Sequence, residues 1–391
     1  MRVAGLGVAP ALASEALHLR SAVILFYGCV ALLLSVLWSR LARDAPVIAQ
    51  LRGHVDRTLI LCAIGPPLVL AANYAIVRGL ISDVVALLPA ALALAVAGLY
   101  SAVAHRLSGI TGVGIAARLV LRSSYAWLSV AALAQFAWVA ARVFGSHADL
   151  LWYLERPALE VAAIGFGLTA ALGVLLTNLN TVYHSRNITQ TLMRTCQAAN
   201  GLIALWGLSL MWSMRFPGGY QGLASAVIGI SLLFVLARVA ASSGLLQRFR
   251  LPRQSDRGGG DGPLAGTLAA AVMLLVAITG VLVGMSAVLL AATGEQPAAE
   301  MLAAEIVAIG LGMVPLSLGA AVSARARGVV AGLSAGSLLI GVGTLLGLIL
   351  WPLRGALADP LGGLAAGAEI LIAAGIVLMA TAVRRFAAAG Q

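Results

Sequence analysis

The 391-residue chain carries 25 Lys plus Arg against 14 Asp plus Glu, a net charge of +11, yet only 10% of its residues are charged and 61% are hydrophobic. A soluble domain has about 25% charged residues, so this composition, with a mean hydropathy of +1.01, excludes an ordinary soluble fold. The apolar runs are helix-length, roughly 20 to 25 residues and apolar all round, and do not alternate over about ten residues as barrel strands do. The expected fold is therefore all-α: a polytopic transmembrane helix bundle in a lipid bilayer.

Eleven spans are expected, near residues 20–43, 57–80, 83–105, 122–145, 157–181, 191–214, 221–245, 263–293, 300–323, 329–353 and 362–386. Residues 1–19 read as an N-terminal tail. VAGLGVAPALA, at 3–13, is too short and Gly-rich to span; the small residues around Ala11 and Ala13 make a cleaved signal peptide the alternative. Residues 20–245 form a seven-helix membrane domain. LQRFRLPRQSDRGGGDG, at 246–262, is a basic, Gly-rich cytoplasmic linker, and 263–391 supply a four-helix segment.

Every basic residue other than His is Arg, and the arginines alternate loop by loop. With the N-terminus outside, seventeen fall in cytoplasmic segments, among them Arg52, Arg118, Arg248 and Arg385. Seven fall outside, and Arg238 lies within a span. The positive-inside rule then predicts an outside N-terminus and a cytoplasmic C-terminus. Topology and attraction to anionic lipid account for the positive charge, and no nucleic-acid partner is called for.

Cys29, Cys62 and Cys196 are far apart, form no CxxC and suggest no disulfide framework. In the last four spans, Gly280–Gly284, Gly332–Gly336 and Gly343–Gly347 have the four-residue spacing that lets helices approach closely in lipid.

Chemistry is expected where polar groups are costly. The richest polar stretch is LTNLNTVYHSRNITQTLMRTCQAAN, at 176–200, on the predicted cytoplasmic side. It offers Asn178, Asn180, His184, Arg186, Gln197 and Asn200, the last two on one helical face. Arg238, about 10 Å from the inner end of the seventh span, would complete an inward-facing pocket. The plainer reading is a wet turn with helix–helix hydrogen bonds. On the outer side, Glu160, Glu305 and Glu369 fall in the first third of spans five, nine and eleven. A carboxyl below the interface is paired or protonated, so these three are candidates for a proton or ion pathway. Asn73 and Gln135 read as interhelical glue.

His54, His105 and His184 share the predicted cytoplasmic side and are weak candidates for metal ligands; all five histidines lie at span ends or in loops. Met211 and Met214 flank Trp212 and read as part of an aromatic belt. There is no GxxxxGK[ST], HExxH or GxSxG, so no catalytic motif points to an enzyme acting alone.

The stretch ARLVLRSSYAWLSVAALAQFAWVAARVFG, followed by LEVAAIGFGLTAALGVLLTNLNTVYHSRN, resembles the NnrS family of haem- and copper-containing bacterial membrane proteins. Tyr125 and Trp127 match its Tyr-x-Trp pattern, and Gly165, Gly167 and Gly173 its small residues. His184 and Arg186 stand near its His and Arg, and LPRQSDRGG is similar to its Pro-Arg-x-Asp-Gly tail. The likeness covers about residues 55–262. It departs where the family's helix-opening His is replaced around Leu159 and Glu160, and where Arg122, Ser123 and Ser124 precede Tyr125.

The resemblance implies a protein of the bacterial cytoplasmic membrane, linked to nitrosative-stress or respiratory metabolism, with a degraded haem or copper site. From the residues alone, a small-solute or ion carrier is the second expectation, and a structural subunit of a membrane complex the third.

Overall fold

The computed structural model describes residues 23–34, 45–77, 80, 82–108, 115–144, 154–174, 197–208, 306–323, 331–353 and 360–389, with separate positions between 227 and 285. The described residues are almost entirely helical and include no strand. Five of the helices are long and apolar enough to cross a membrane: Leu51–Ile76, Val84–Arg106, Arg122–Phe144, Pro157–Val174 and Gly332–Leu350. The shorter apolar helices are Val23–Leu34, Ala308–Ala320 and Ile370–Ala382.

In chain order, α1 is Val23–Leu34. Next come α2, Ala45–Val77, α3, Leu87–Ser108, and α4, Ile115–Phe144. Then follow α5 (155–174), α6 (197–208), α7 (274–281) and α8 (306–323). The last two are α9, Ala331–Leu353, and α10, Pro360–Ala389.

The outer helices show why the sequence is apolar on every face. On α2, Ile60, Ile64, Leu70 and Tyr74 are exposed, while Leu51, Val55, Cys62 and Val69 are buried. Both faces are hydrophobic because one meets protein and the other meets lipid.

The centre is built differently. From Pro157 to Val174, α5 is buried along its whole length. A helix surrounded on all sides must be slender, and Ala158, Ala162, Ala163, Gly165, Gly167, Ala170 and Ala171 make it so. A β-carbon on Gly165 would lie 2.8 Å from Trp127 of α4, and one on Gly167 2.6 Å from Ile309 of α8. Both glycines are packing surfaces for larger neighbours. α8 is the second interior helix, with Ala308, Ile309, Met313 and Val314 fully buried.

Three π-helical stretches meet here: Val23–Gly28 of α1, Val161–Leu168 of α5 and Val307–Met313 of α8. A π turn leaves backbone carbonyls without their usual donors. In α5, the Thr169 hydroxyl donates to the Gly165 and Phe166 carbonyls at the end of the π stretch. In α8, Pro315 has no N–H to give to the preceding turn. There the buried Cys29 thiol donates to the Gly310 carbonyl at 3.7 Å. α1 is anchored in turn by Tyr27, which lies on the bare backbone of Gly65 and donates its hydroxyl to the Pro89 carbonyl at 3.0 Å.

The α9–α10 pair uses glycine as its spacing suggested at two of the expected motifs. A β-carbon on Gly336 would fall 2.7 Å from the Gly375 carbonyl oxygen, and one on Gly343 2.8 Å from that of Ala368. Gly332 packs on Ala382. We therefore expect Gly336→Val to destabilise the protein by about 1–3 kcal/mol through overpacking. Gly98→Ala, whose methyl meets nothing within 4 Å, should be neutral or stabilising by up to about 1 kcal/mol. Thermal unfolding of both variants in detergent checks this; equal midpoints would contradict the close backbone contact.

Candidate functional site

Two indole hydrogen bonds fasten α6 to its neighbours. Trp206 is 1% exposed, and its indole N–H donates to the Glu160 carboxylate at 2.9 Å. Glu160, also 1% exposed, ends the first α-helical turns of α5, immediately before the π stretch. Trp127 of α4 packs its ring on Gly165 and donates its N–H to the Asn200 side-chain oxygen at 3.0 Å. Residues 200 and 206 lie about 9 Å apart along α6 at the rise of about 1.5 Å per residue. α4, α5 and α6 are thus joined at two levels by polar contacts inside an apolar bundle.

A third polar group lies between α3 and α4. His105 Nδ1 and the Tyr125 hydroxyl are 2.9 Å apart, with their rings edge-on. Ser101 donates to the Tyr125 carbonyl at 3.3 Å, and its hydroxyl lies 3.0 Å from that of Ser129. Deeper in, Tyr100 meets Phe166 of α5 edge to face at 5.7 Å. At the far end of α4, the Arg142 guanidinium lies over the Trp138 ring, 5.6 Å from its centre.

Of the expected pathway carboxyls, Glu160 is the one whose side chain can be followed. Glu369 lies on α10, and Glu305 falls outside the described residues. Of the expected inner cluster, Asn200 is half-buried and bonded to Trp127, whereas Gln197 at the start of α6 is exposed. Asn178, Asn180, His184, Arg186 and Arg238 lie outside the described residues.

The implied haem or copper group can be tested against the donors in view. Haem needs axial ligands inside the bundle. His54 is half-buried near the start of α2, and its own carbonyl accepts a bond from Thr58. His105 is exposed and engaged with Tyr125. Among the described residues, no three His, Cys, Asp or Glu side chains gather as a metal set. These donors do not fit a buried haem or copper.

Sequence reasoning missed both tryptophans as partners. A usable signal was present: Trp206 sits mid-span, far from the interfacial belt, and a buried indole N–H needs an acceptor. No protein-family model, curated protein or solved structure matches the chain.

Trp206→Phe removes the indole donor from the buried Glu160 side chain and should cost about 1–3 kcal/mol. Glu160→Gln keeps an acceptor for the indole and should cost less. The double variant should be non-additive in thermal unfolding; additivity within about 0.5 kcal/mol would mean the pair is energetically uncoupled.

Proposed function

We propose that the protein is a membrane carrier for a small polar solute, with proton exchange at Glu160 as the coupling step. The observation behind this reading is a carboxyl group, 1% exposed, on a helix that is itself buried on every side. An acidic group is costly at such a place, and those retained inside membranes commonly mark ion and substrate pathways. Glu160 brings an ionisable carboxyl to this enclosed place, beside the Trp206 indole.

In this reading, Glu305 and Glu369 extend the pathway on the outer side. Asn178, Asn180, His184, Arg186, Gln197, Asn200 and Arg238 line its cytoplasmic mouth. The chain crosses the bacterial cytoplasmic membrane eleven times, with its N-terminus outside, as the alternation of arginines suggests.

The resemblance to the NnrS family supports a second reading, a membrane protein of nitrosative-stress or respiratory metabolism. The observation in its favour is that Tyr125 and Trp127, which carry the likeness, both make interhelical hydrogen bonds. Here His184 would be the residue to bind haem.

Two measurements separate these readings. In proteoliposomes containing a pH-sensitive dye, at least one of a panel of amino acids, sugars and small anions should drive proton movement. Glu160→Gln should reduce it more than about ten-fold, the scale of losing a proton-transfer group. Proton movement no greater than in empty liposomes across the panel would refute the carrier. For the second reading, the purified protein should show a Soret band that His184→Ala abolishes; a colourless protein would refute haem binding.

A further inference from the structure

Buried hydroxyls in this bundle follow one habit. Thr58, Thr169, Ser317, Ser323 and Ser337 each donate to a carbonyl three or four residues earlier in their own helix. That bond is the ordinary way to hide a hydroxyl in a helix without an external partner. Ser124 instead bonds to the Tyr100 side chain of α3, and two further residues do neither. Thr279, 2% exposed on α7, and Thr344, fully buried on α9, have hydroxyl oxygens with no hydrogen-bond partner.

Both belong to the helices packed around the π stretch of α8. A β-carbon on Gly312, in that stretch, would lie 2.7 Å from the Thr344 methyl carbon and 3.1 Å from both the Thr344 hydroxyl oxygen and Leu275 Cδ1. Leu275 is one turn before Thr279 and shares its helical face. The backbone of α8 is therefore bare at Gly312, with Thr344 against it and the Thr279 face beside it. This is also where the α8 ladder is irregular. The Val314 N–H reaches back to the Ile309 carbonyl, and Pro315 contributes no N–H to the Gly310–Leu311 turn. Cys29 occupies the Gly310 carbonyl from the opposite side, at α1.

We propose that Thr279, Thr344 and the carbonyls of the Gly310–Gly312 turn form a binding site for a sodium ion. Hydroxyl and carbonyl oxygens are hard ligands suited to hard cations. No carboxylate is part of the set, so a singly charged ion suits it and a divalent ion would remain uncompensated. Irregular helix carbonyls between packed helices are the usual ion ligands in membrane carriers. The close approach of Thr344 to the α8 backbone favours sodium over the larger potassium. The site is separate from Glu160 and stands whether or not that residue moves protons.

The test uses the full-length protein in detergent, unfolded thermally in sodium, potassium or choline chloride at equal ionic strength. Sodium should raise the midpoint saturably, potassium less and choline not at all. Thr344→Val and Thr279→Val should each raise the half-saturating sodium concentration about ten-fold, the loss of one ligand oxygen. Thr344→Ser, which keeps the oxygen, should retain the response, and so should Glu160→Gln. If Thr344→Val does not fold, Thr279→Val and Thr344→Ser carry the test. A wild-type midpoint identical in sodium and choline would overturn the site. So would a sodium response unchanged in the valine variants. Because unfolding is read rather than transport, failure here leaves the proposal for Glu160 untouched.

Discussion

The constraint on which the bundle depends is that α5 has no lipid-facing side. Its whole length from Pro157 to Val174 is enclosed, so every turn must leave room for a neighbour. Alanine and glycine provide that room, and the larger groups come from outside: Trp127 over Gly165, Ile309 over Gly167. In lipid, association of helices rests on such contacts because apolar burial gives little preference for protein over acyl chains. The π stretches of α1, α5 and α8 meet at this enclosed centre. Side chains donate to their carbonyls, Thr169 in α5 and Cys29 in α8.

Against this background, the polar groups sort themselves by how they are satisfied. Among the described residues, most buried hydroxyls bond within their own helix. The indole bonds of Trp127 and Trp206 cross between helices and fix α6 beside the central helix. Glu160 differs from both groups in carrying an ionisable carboxyl on the enclosed helix. An acidic side chain at so enclosed a position is costly in a membrane.

Class and helical character were legible from composition, since long apolar runs in a chain with 10% charge have few other solutions. The positions of α3, α4, α9, α10 and the start of α5 follow the apolar runs within several residues, whereas α2 starts at Ala45, well before the expected residue 57. Which helix is central was not legible. Lipid-facing and protein-facing sides are both apolar, so hydropathy cannot rank α5 above α2. The Ala and Gly content of α5 was the available clue. Glu160 was visible as a costly residue, but its partner was not, because Trp206 is 46 residues away in sequence. Asn200 was picked for its place in a polar stretch, yet Gln197 beside it is exposed. A shared helical face says nothing about how deep each turn lies.

The α9–α10 contact has a consequence for how this protein tolerates change. Beside Gly165 stands a side chain, the ring of Trp127, and a smaller residue there would make space for a methyl. Beside Gly336 stands the Gly375 carbonyl, and beside Gly375 the Gly336 carbonyl. Main chain cannot be exchanged for something smaller. A substitution at either glycine therefore has no second-site suppressor on the facing helix. In a library of paired variants, the two positions should behave as independent prohibitions, whereas positions 127 and 165 should compensate each other.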